Sequence, residues 1–258
     1  MIINNTFISV NEYKTDKSDT VLIITHGLAE YSKHYDEFAN FFMNKGINVI
    51  TYDLRGHGRS LGKRGYVRSY KDYLSDLDEI VLYARKSNKK VFLLGHSMGG
   101  LLTNLYVQKY KGVDGVIISS SPSNYVKKLS TFRFLPLRFL FYKKRLFTNF
   151  KDSKLGSNPM TKDSFDLDCY YLRLPIQVLI KGMKKFRRCF DKYTTPVLFI
   201  HGERDVLVNS SDSLFTYNNI KSVDKEIKLY QESKHNILSD IEKDKVYLDI
   251  EKWINDRL

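Results

Sequence analysis

Ser97 lies at the centre of Gly95-His96-Ser97-Met98-Gly99-Gly100, directly after the apolar run Val91-Phe92-Leu93-Leu94. Glycines two residues to either side of a serine are the spacing of a nucleophile carried on a tight strand-to-helix turn, because side chains at those positions would crowd it. Leu101 to Val107 continues as a helical pattern, so strand, turn and helix follow in the required order. A serine hydroxyl is a weak nucleophile at neutral pH. It needs a base, and an imidazole base needs a carboxylate that fixes its tautomer.

Six histidines compete for that role. His235 stands in the loop Glu232-Ser233-Lys234-His235-Asn236 after a strand-like run, and Asp205 stands in His201-Gly202-Glu203-Arg204-Asp205 after the preceding one. Loops at the C-terminal ends of parallel strands line the edge where open α/β sheets bind ligands. The chain order Ser97, Asp205, His235 is that of α/β-hydrolases. Glu203 is the rival carboxylate in the same loop, and Asp205 is preferred. The developing oxyanion needs donors: the Met98 amide opens the helix after the nucleophile, and the Leu28 amide follows Gly27 at the end of an early strand.

The cluster Asp53-Leu54-Arg55-Gly56-His57-Gly58-Arg59-Ser60 also brings Asp, His and Ser together, but sequence neighbours seldom converge into one site. A tight loop stitched by Asp53 and Arg55 is the expectation there. His26, His96 and His201 adjoin glycines at strand ends and are read as satisfying loop backbone groups. Neither paired histidines on a helix nor a cysteine cluster is present, so no metal site is predicted, and acyl transfer to serine needs no cofactor.

The elements that must position these residues alternate. Val21–Ile24, Ile47–Tyr52, Val91–Leu94, Gly115–Ser119, Thr195–Ile200 and Lys225–Tyr230 read as strands; His34–Lys45, Tyr70–Lys86 and Lys243–Leu258 read as helices, the last with Val246, Ile250, Trp253 and Ile254 on one face. This rhythm predicts one α/β domain over residues 1–258, built on a mostly parallel sheet. From about Pro122 to Phe190 the alternation stops, marking an insertion rich in Phe and Leu.

The net charge of +13 concentrates in that insertion, where 16 Lys and Arg face 4 Asp and Glu, against 26 and 25 elsewhere. Basic residues interleaved with aromatic and aliphatic ones suit an anionic membrane surface, and no nucleic-acid module accompanies them, so nucleic acid is not an expected partner. There is no apolar run long enough to span a bilayer, and the N-terminus lacks a leader pattern, which predicts a cytoplasmic protein touching membranes at most peripherally. Cys169 and Cys189 are read as reduced thiols, with one bridge between them left open.

The motifs His26-Gly27-Leu28-Ala29-Glu30-Tyr31-Ser32-Lys33-His34-Tyr35, Tyr52-Asp53-Leu54-Arg55-Gly56-His57-Gly58-Arg59-Ser60, Gly95-His96-Ser97-Met98-Gly99-Gly100 and His201-Gly202-Glu203-Arg204-Asp205 resemble the monoglyceride lipase and lysophospholipase branch of the serine α/β-hydrolase superfamily. The resemblance spans most of the chain. It implies an α/β-hydrolase fold with an inserted, largely helical cap over residues 122–190, Ser97, Asp205 and His235 as a triad, and Leu28 and Met98 as oxyanion amides. Glu30 matches a structural acid of the family. The implied substrate is a single-chain lipid ester, a monoacylglycerol or lysophospholipid, with a small-ester carboxylesterase or acyltransferase as runner-up and a ligand-binding protein of little turnover as the reading from another class. Tyr31 stands where the family more often has His, and His34 where it more often has Arg. Asn158-Pro159 corresponds to a family Asp-Pro pair.

Overall fold

The structure, a computed structural model, describes residues 1–16, 18–124, 142–145, 155–157 and 163–258. Its centre is a seven-stranded sheet formed by β3 (Val10–Tyr13), β4 (Thr20–Thr25), β5 (Asn48–Tyr52), β6 (Lys90–His96), β7 (Gly115–Ser119), β10 (Val197–Gly202) and β11 (Lys225–Tyr230). The spatial order is β11-β10-β7-β6-β4-β5-β3, parallel throughout except for β3, which runs antiparallel to β5 at one edge. The short strands β1 (Ile2–Ile3) and β2 (Thr6–Phe7) form an N-terminal hairpin beside it.

Alternation along the central strands explains how both faces are covered. Val21, Ile23, Val91 and Leu93 point to one side, where they pack with Leu74 and Leu77 of α2 (Tyr70–Arg85) and Leu101 and Leu105 of α3 (Met98–Lys109). Leu22, Ile24, Phe92 and Leu94 point to the other, against Phe38 and Phe42 of α1 (Asp36–Asn44). Strands buried on both faces are continuously apolar, which is why these runs stand out in the sequence.

Val246, Ile250, Trp253 and Ile254 are buried in the second layer, as the periodicity of the closing helix requires, although that helix ends at Asn255. The helix expected from His34 begins instead with a 3-10 turn, Ser32–Tyr35, and becomes α-helical at Asp36. Side-chain tethers account for the tight start: the Ser32 amide donates to Asp53 Oδ1 (2.8 Å) and the Tyr35 hydroxyl to Glu30 Oε2 (2.7 Å).

Of the insertion, the described residues include an antiparallel pair, β8 (Lys143–Arg145) with β9 (Cys169–Tyr171), and a helix, α4, built from Arg173–Pro175, a π-type stretch Ile176–Gly182 and Met183–Arg187. Leu174, Val178, Met183 and Phe186 seal α4 onto the α2–α3 layer. Asn158 and Pro159 and most of the aromatic stretch from Phe132 to Phe147 lie outside the described residues. Cys169 and Cys189 are free thiols. Among the described residues no helix is long and apolar enough to cross a membrane.

Candidate active site

Strand β6 ends at His96, and Ser97 caps α3 with φ 52° and ψ −118°, a left-handed geometry that costs a non-glycine residue about 1–3 kcal/mol. The flanking glycines make the turn feasible. A Cβ at Gly95 would strike Gly99 O and Thr103 Oγ1, one at Gly99 would strike the carbonyl oxygens of Thr25 and His26, and one at Gly100 would strike Ser121. The elbow is therefore wedged directly against the end of β4.

Ser97 Oγ lies 2.9 Å from His235 Nε2, and His235 Nδ1 lies 2.7 Å from Asp205 Oδ2. A carboxylate only accepts, so Nδ1 carries the proton and Nε2 presents its lone pair to the serine hydroxyl. Asp205 is buried and its Oδ1 accepts the amides of Leu207 (2.8 Å) and Val208 (2.9 Å). Burial alone would raise its carboxyl, but hydrogen bonds from His201, His235 and the Val208 amide outweigh that and hold it well below the usual carboxylate range. Glu203, the rival, is exposed.

Leu28 and Ser97 line one cleft of about 180 Å³ with Gly27, Ala29, His235, Leu155, Leu207 and Val208. Its described walls are mainly apolar, with polar groups gathered at the serine. The Met98 amide is the first of α3, where aligned peptide dipoles favour negative charge. The turn bearing Leu28 is pinned from behind: Glu30 Oε2 accepts the Gly27 amide (2.9 Å) and the Tyr35 hydroxyl, while Ala29 adopts φ 71°. The family acid Glu30 thus shapes this turn from a buried position.

The remaining motif residues divide sharply. Asp53 stitches its loop, accepting the amides of Ser32 and Arg59, while its carbonyl accepts the Ser60 hydroxyl. Arg55 departs from the expectation, reaching Asp76 on α2 at 2.6 Å. His26 accepts the Leu54 amide at Nε2 (3.0 Å), so its Nδ1–H donates to Gly27 O, as a backbone-satisfying histidine should. His96 and His201 do more than that. The His96 ring lies 5.0 Å from the His235 ring, its Nδ1 is 3.0 Å from Ser119 Oγ, and burial pushes its imidazole down to about 4. His201 Nε2 lies 3.2 Å from Asp205 Oδ2 and 2.9 Å from Val208 O. Their sequence signal was only position, each at the end of a strand flanking β7.

Cap residues close on the same loops. The Leu167 amide donates to Ala29 O (3.1 Å), the Asn236 amide donates to Leu155 O (2.8 Å), and His34 Nε2 lies 2.6 Å from Asp166 Oδ1. His34, where the family more often has Arg, thus faces a cap carboxylate.

The family model described as serine aminopeptidase, S33, matches residues 16–242. The chain belongs to that family. It is 26% identical to human monoglyceride lipase over 94% of this chain and 84% of that protein. It is 36% identical to the phospholipase YtpA of Bacillus subtilis over 42% of each. The crystal structure of Paleococcus ferrophilus monoacylglycerol lipase superposes with a TM-score of 0.84 at 24% identity, covering 98% of this chain and 100% of that one. The fold is that of the α/β-hydrolases, and the resemblance to the monoglyceride lipase branch is borne out.

Proposed function

We propose that this chain is a serine hydrolase that cleaves the carboxylic ester of single-chain lipids, a monoacylglycerol or a lysophospholipid. The observation that carries the reading is the continuous relay Ser97 Oγ, His235, Asp205 at the floor of a mainly apolar cleft. Similarity to human monoglyceride lipase and to the phospholipase YtpA supports the lipid ester as substrate.

His235 Nε2 takes the hydroxyl proton as Ser97 Oγ bonds to the ester carbonyl carbon, and the carbonyl oxygen becomes an oxyanion facing the amides of Leu28 and Met98. Collapse of this intermediate expels the alkoxide, which leaves as the alcohol after taking the proton from His235, and an acyl-enzyme remains. Water then attacks the acyl carbon with His235 again as base, releasing the fatty acid and restoring Ser97. Asp205, kept anionic by its hydrogen bonds, stabilises the imidazolium in both halves.

The insertion docks peripherally on anionic membranes in this reading, through basic residues such as Lys143 and Lys144, both exposed beside an exposed Tyr142. Arg133 and Arg138, of the same basic set, lie outside the described residues.

The test is hydrolysis across monoacylglycerols and lysophospholipids of graded acyl length, against short soluble esters and amino-acid amides. The reading expects kcat/KM to rise with acyl length. Fastest turnover of two- to four-carbon soluble esters would transfer the assignment to a small-ester carboxylesterase, and fastest turnover of amides would transfer it to a peptidase.

A further inference from the structure

A second cavity, of about 340 Å³, lies between α2, α3 and the end of α4 and shares no lining residue with the Ser97 cleft. Its walls are Tyr70, Lys71 and Leu74 from α2, Leu105, Gln108 and Lys109 from α3, and Lys185, Cys189 and Lys192 from α4 and the segment after it. Four ammonium-bearing side chains surround one cavity, and among the described residues no carboxylate lines it. Among the described residues Lys71, Lys185 and Lys192 make no ion pair, and Lys109 meets only the neutral Tyr110, by its hydroxyl (2.5 Å) and its ring (4.2 Å). Burial raises the Tyr70 phenol, while Lys185 and Lys109 pull in the opposite direction, so both ammoniums act on the hydroxyl at the cavity wall.

Like charges held around one concavity repel, and each is stabilised when an anion enters. A phosphate monoester carries close to two negative charges at neutral pH, more than a carboxylate offers, and lysine ammoniums bind it as point charges. Leu74 and Leu105 give the inner wall apolar surface for the carbon skeleton attached to such a group.

We propose that this cavity binds the phosphate group of a phosphate monoester, supplied either by a lipid head group of the phosphatidic acid type or by a soluble metabolite. The assignment is independent of the ester-hydrolase reading, since none of these residues touches Ser97, Asp205 or His235. It gives a defined place to part of the charge concentrated in the insertion, because Lys185 belongs to that segment. The site is also mechanically close to the elbow. Leu105 is eight residues along α3 from Ser97, about 12 Å on the helical rise.

Titration calorimetry of the full chain with inorganic phosphate and with glycerol 3-phosphate tests the proposal, alongside cosedimentation with phosphatidylcholine vesicles with and without phosphatidic acid. Two double variants of equal net charge separate a site from a diffuse field: Lys109→Gln with Lys185→Gln at the cavity, and Lys86→Gln with Lys221→Gln away from it. All four positions are exposed, so folding is preserved. The expected result is one saturable site whose Kd rises roughly tenfold in the cavity variant and stays within twofold in the other. Binding of the soluble ester alone identifies a soluble source, and cavity-dependent capture by phosphatidic acid vesicles identifies a head group. Absence of saturable binding to every probe, or equal weakening in both variants, overturns the site.

Discussion

His201 and His235 share one carboxylate oxygen: His201 Nε2 lies 3.2 Å and His235 Nδ1 2.7 Å from Asp205 Oδ2. Because His201 Nε2 also faces Val208 O at 2.9 Å, it is a donor, and its proton disperses charge that would otherwise bear on His235 alone. We therefore assign His201 as a positioning residue for the acid. In His201→Ala, Asp205 loses a donor and its carboxylate is less firmly oriented toward His235. The expected result is kcat about tenfold lower with KM nearly unchanged. A kcat equal to wild type, or a loss confined to KM, would reduce His201 to packing.

The elbow glycines give a sterner structural test. Gly99→Ala would place a methyl group on the backbone oxygens of Thr25 and His26, which cannot move without displacing β4. Thermal unfolding should show a loss of more than about 3 kcal/mol, or no soluble protein. An unchanged Tm would show that the elbow is less tightly wedged than described.

Asp166 ties the cap to the turn bearing Leu28 through His34, and both side chains are nearly fully buried. Burial opposes the charged imidazole, but the Asp166 hydrogen bond and the charges of Glu30, Asp166 and Asp163 outweigh it and raise His34 above its ordinary value. A histidine raised on folding contributes stability that is fully present below its unfolded pKa of about 6.5 and is lost as pH rises through its folded value. Asp166→Asn should thus lower Tm more at pH 6 than at pH 9. His34→Arg should make the tether insensitive to pH over that range. Equal Tm losses at both pH values would contradict the charged pair.

His96 works in the opposite sense. Burial lowers it from its ordinary 6.5 to about 4, so the unfolded chain binds a proton here that the folded chain does not between those values. Stability should fall as pH drops from about 6.5 to 4, by on the order of 3 kcal/mol for this group alone. Denaturant unfolding of His96→Gln across that range should show a shallower acid slope than wild type. An identical slope would mean that His96 titrates normally.

Much of this arrangement was legible in the sequence because it is written in local terms. Glycines beside Ser97, apolar runs before it and the loop placement of Asp205 and His235 each follow from backbone constraints within a few residues. The roles of His96 and His201 were not legible, since they arise from the register of β6, β7 and β10, which sets strand ends side by side across long stretches of sequence. Arg55 was misjudged for a similar reason: its partner, Asp76, is on the next helix. The contacts of Leu167 and Leu155 with the site loops were equally hidden, because the insertion has charge and aromatic content but no periodicity that ties it to the core.

The central claim is that Ser97, activated by His235, attacks the ester carbonyl. Its most direct test is covalent labelling by a fluorophosphonate, mapped by peptide mass spectrometry and paired with monoacylglycerol turnover in wild type and Ser97→Ala. The expected result is stoichiometric labelling at Ser97 alone, with labelling abolished and turnover reduced at least about 10³-fold in the variant. Turnover by Ser97→Ala within tenfold of wild type, or a label on another residue, would contradict it.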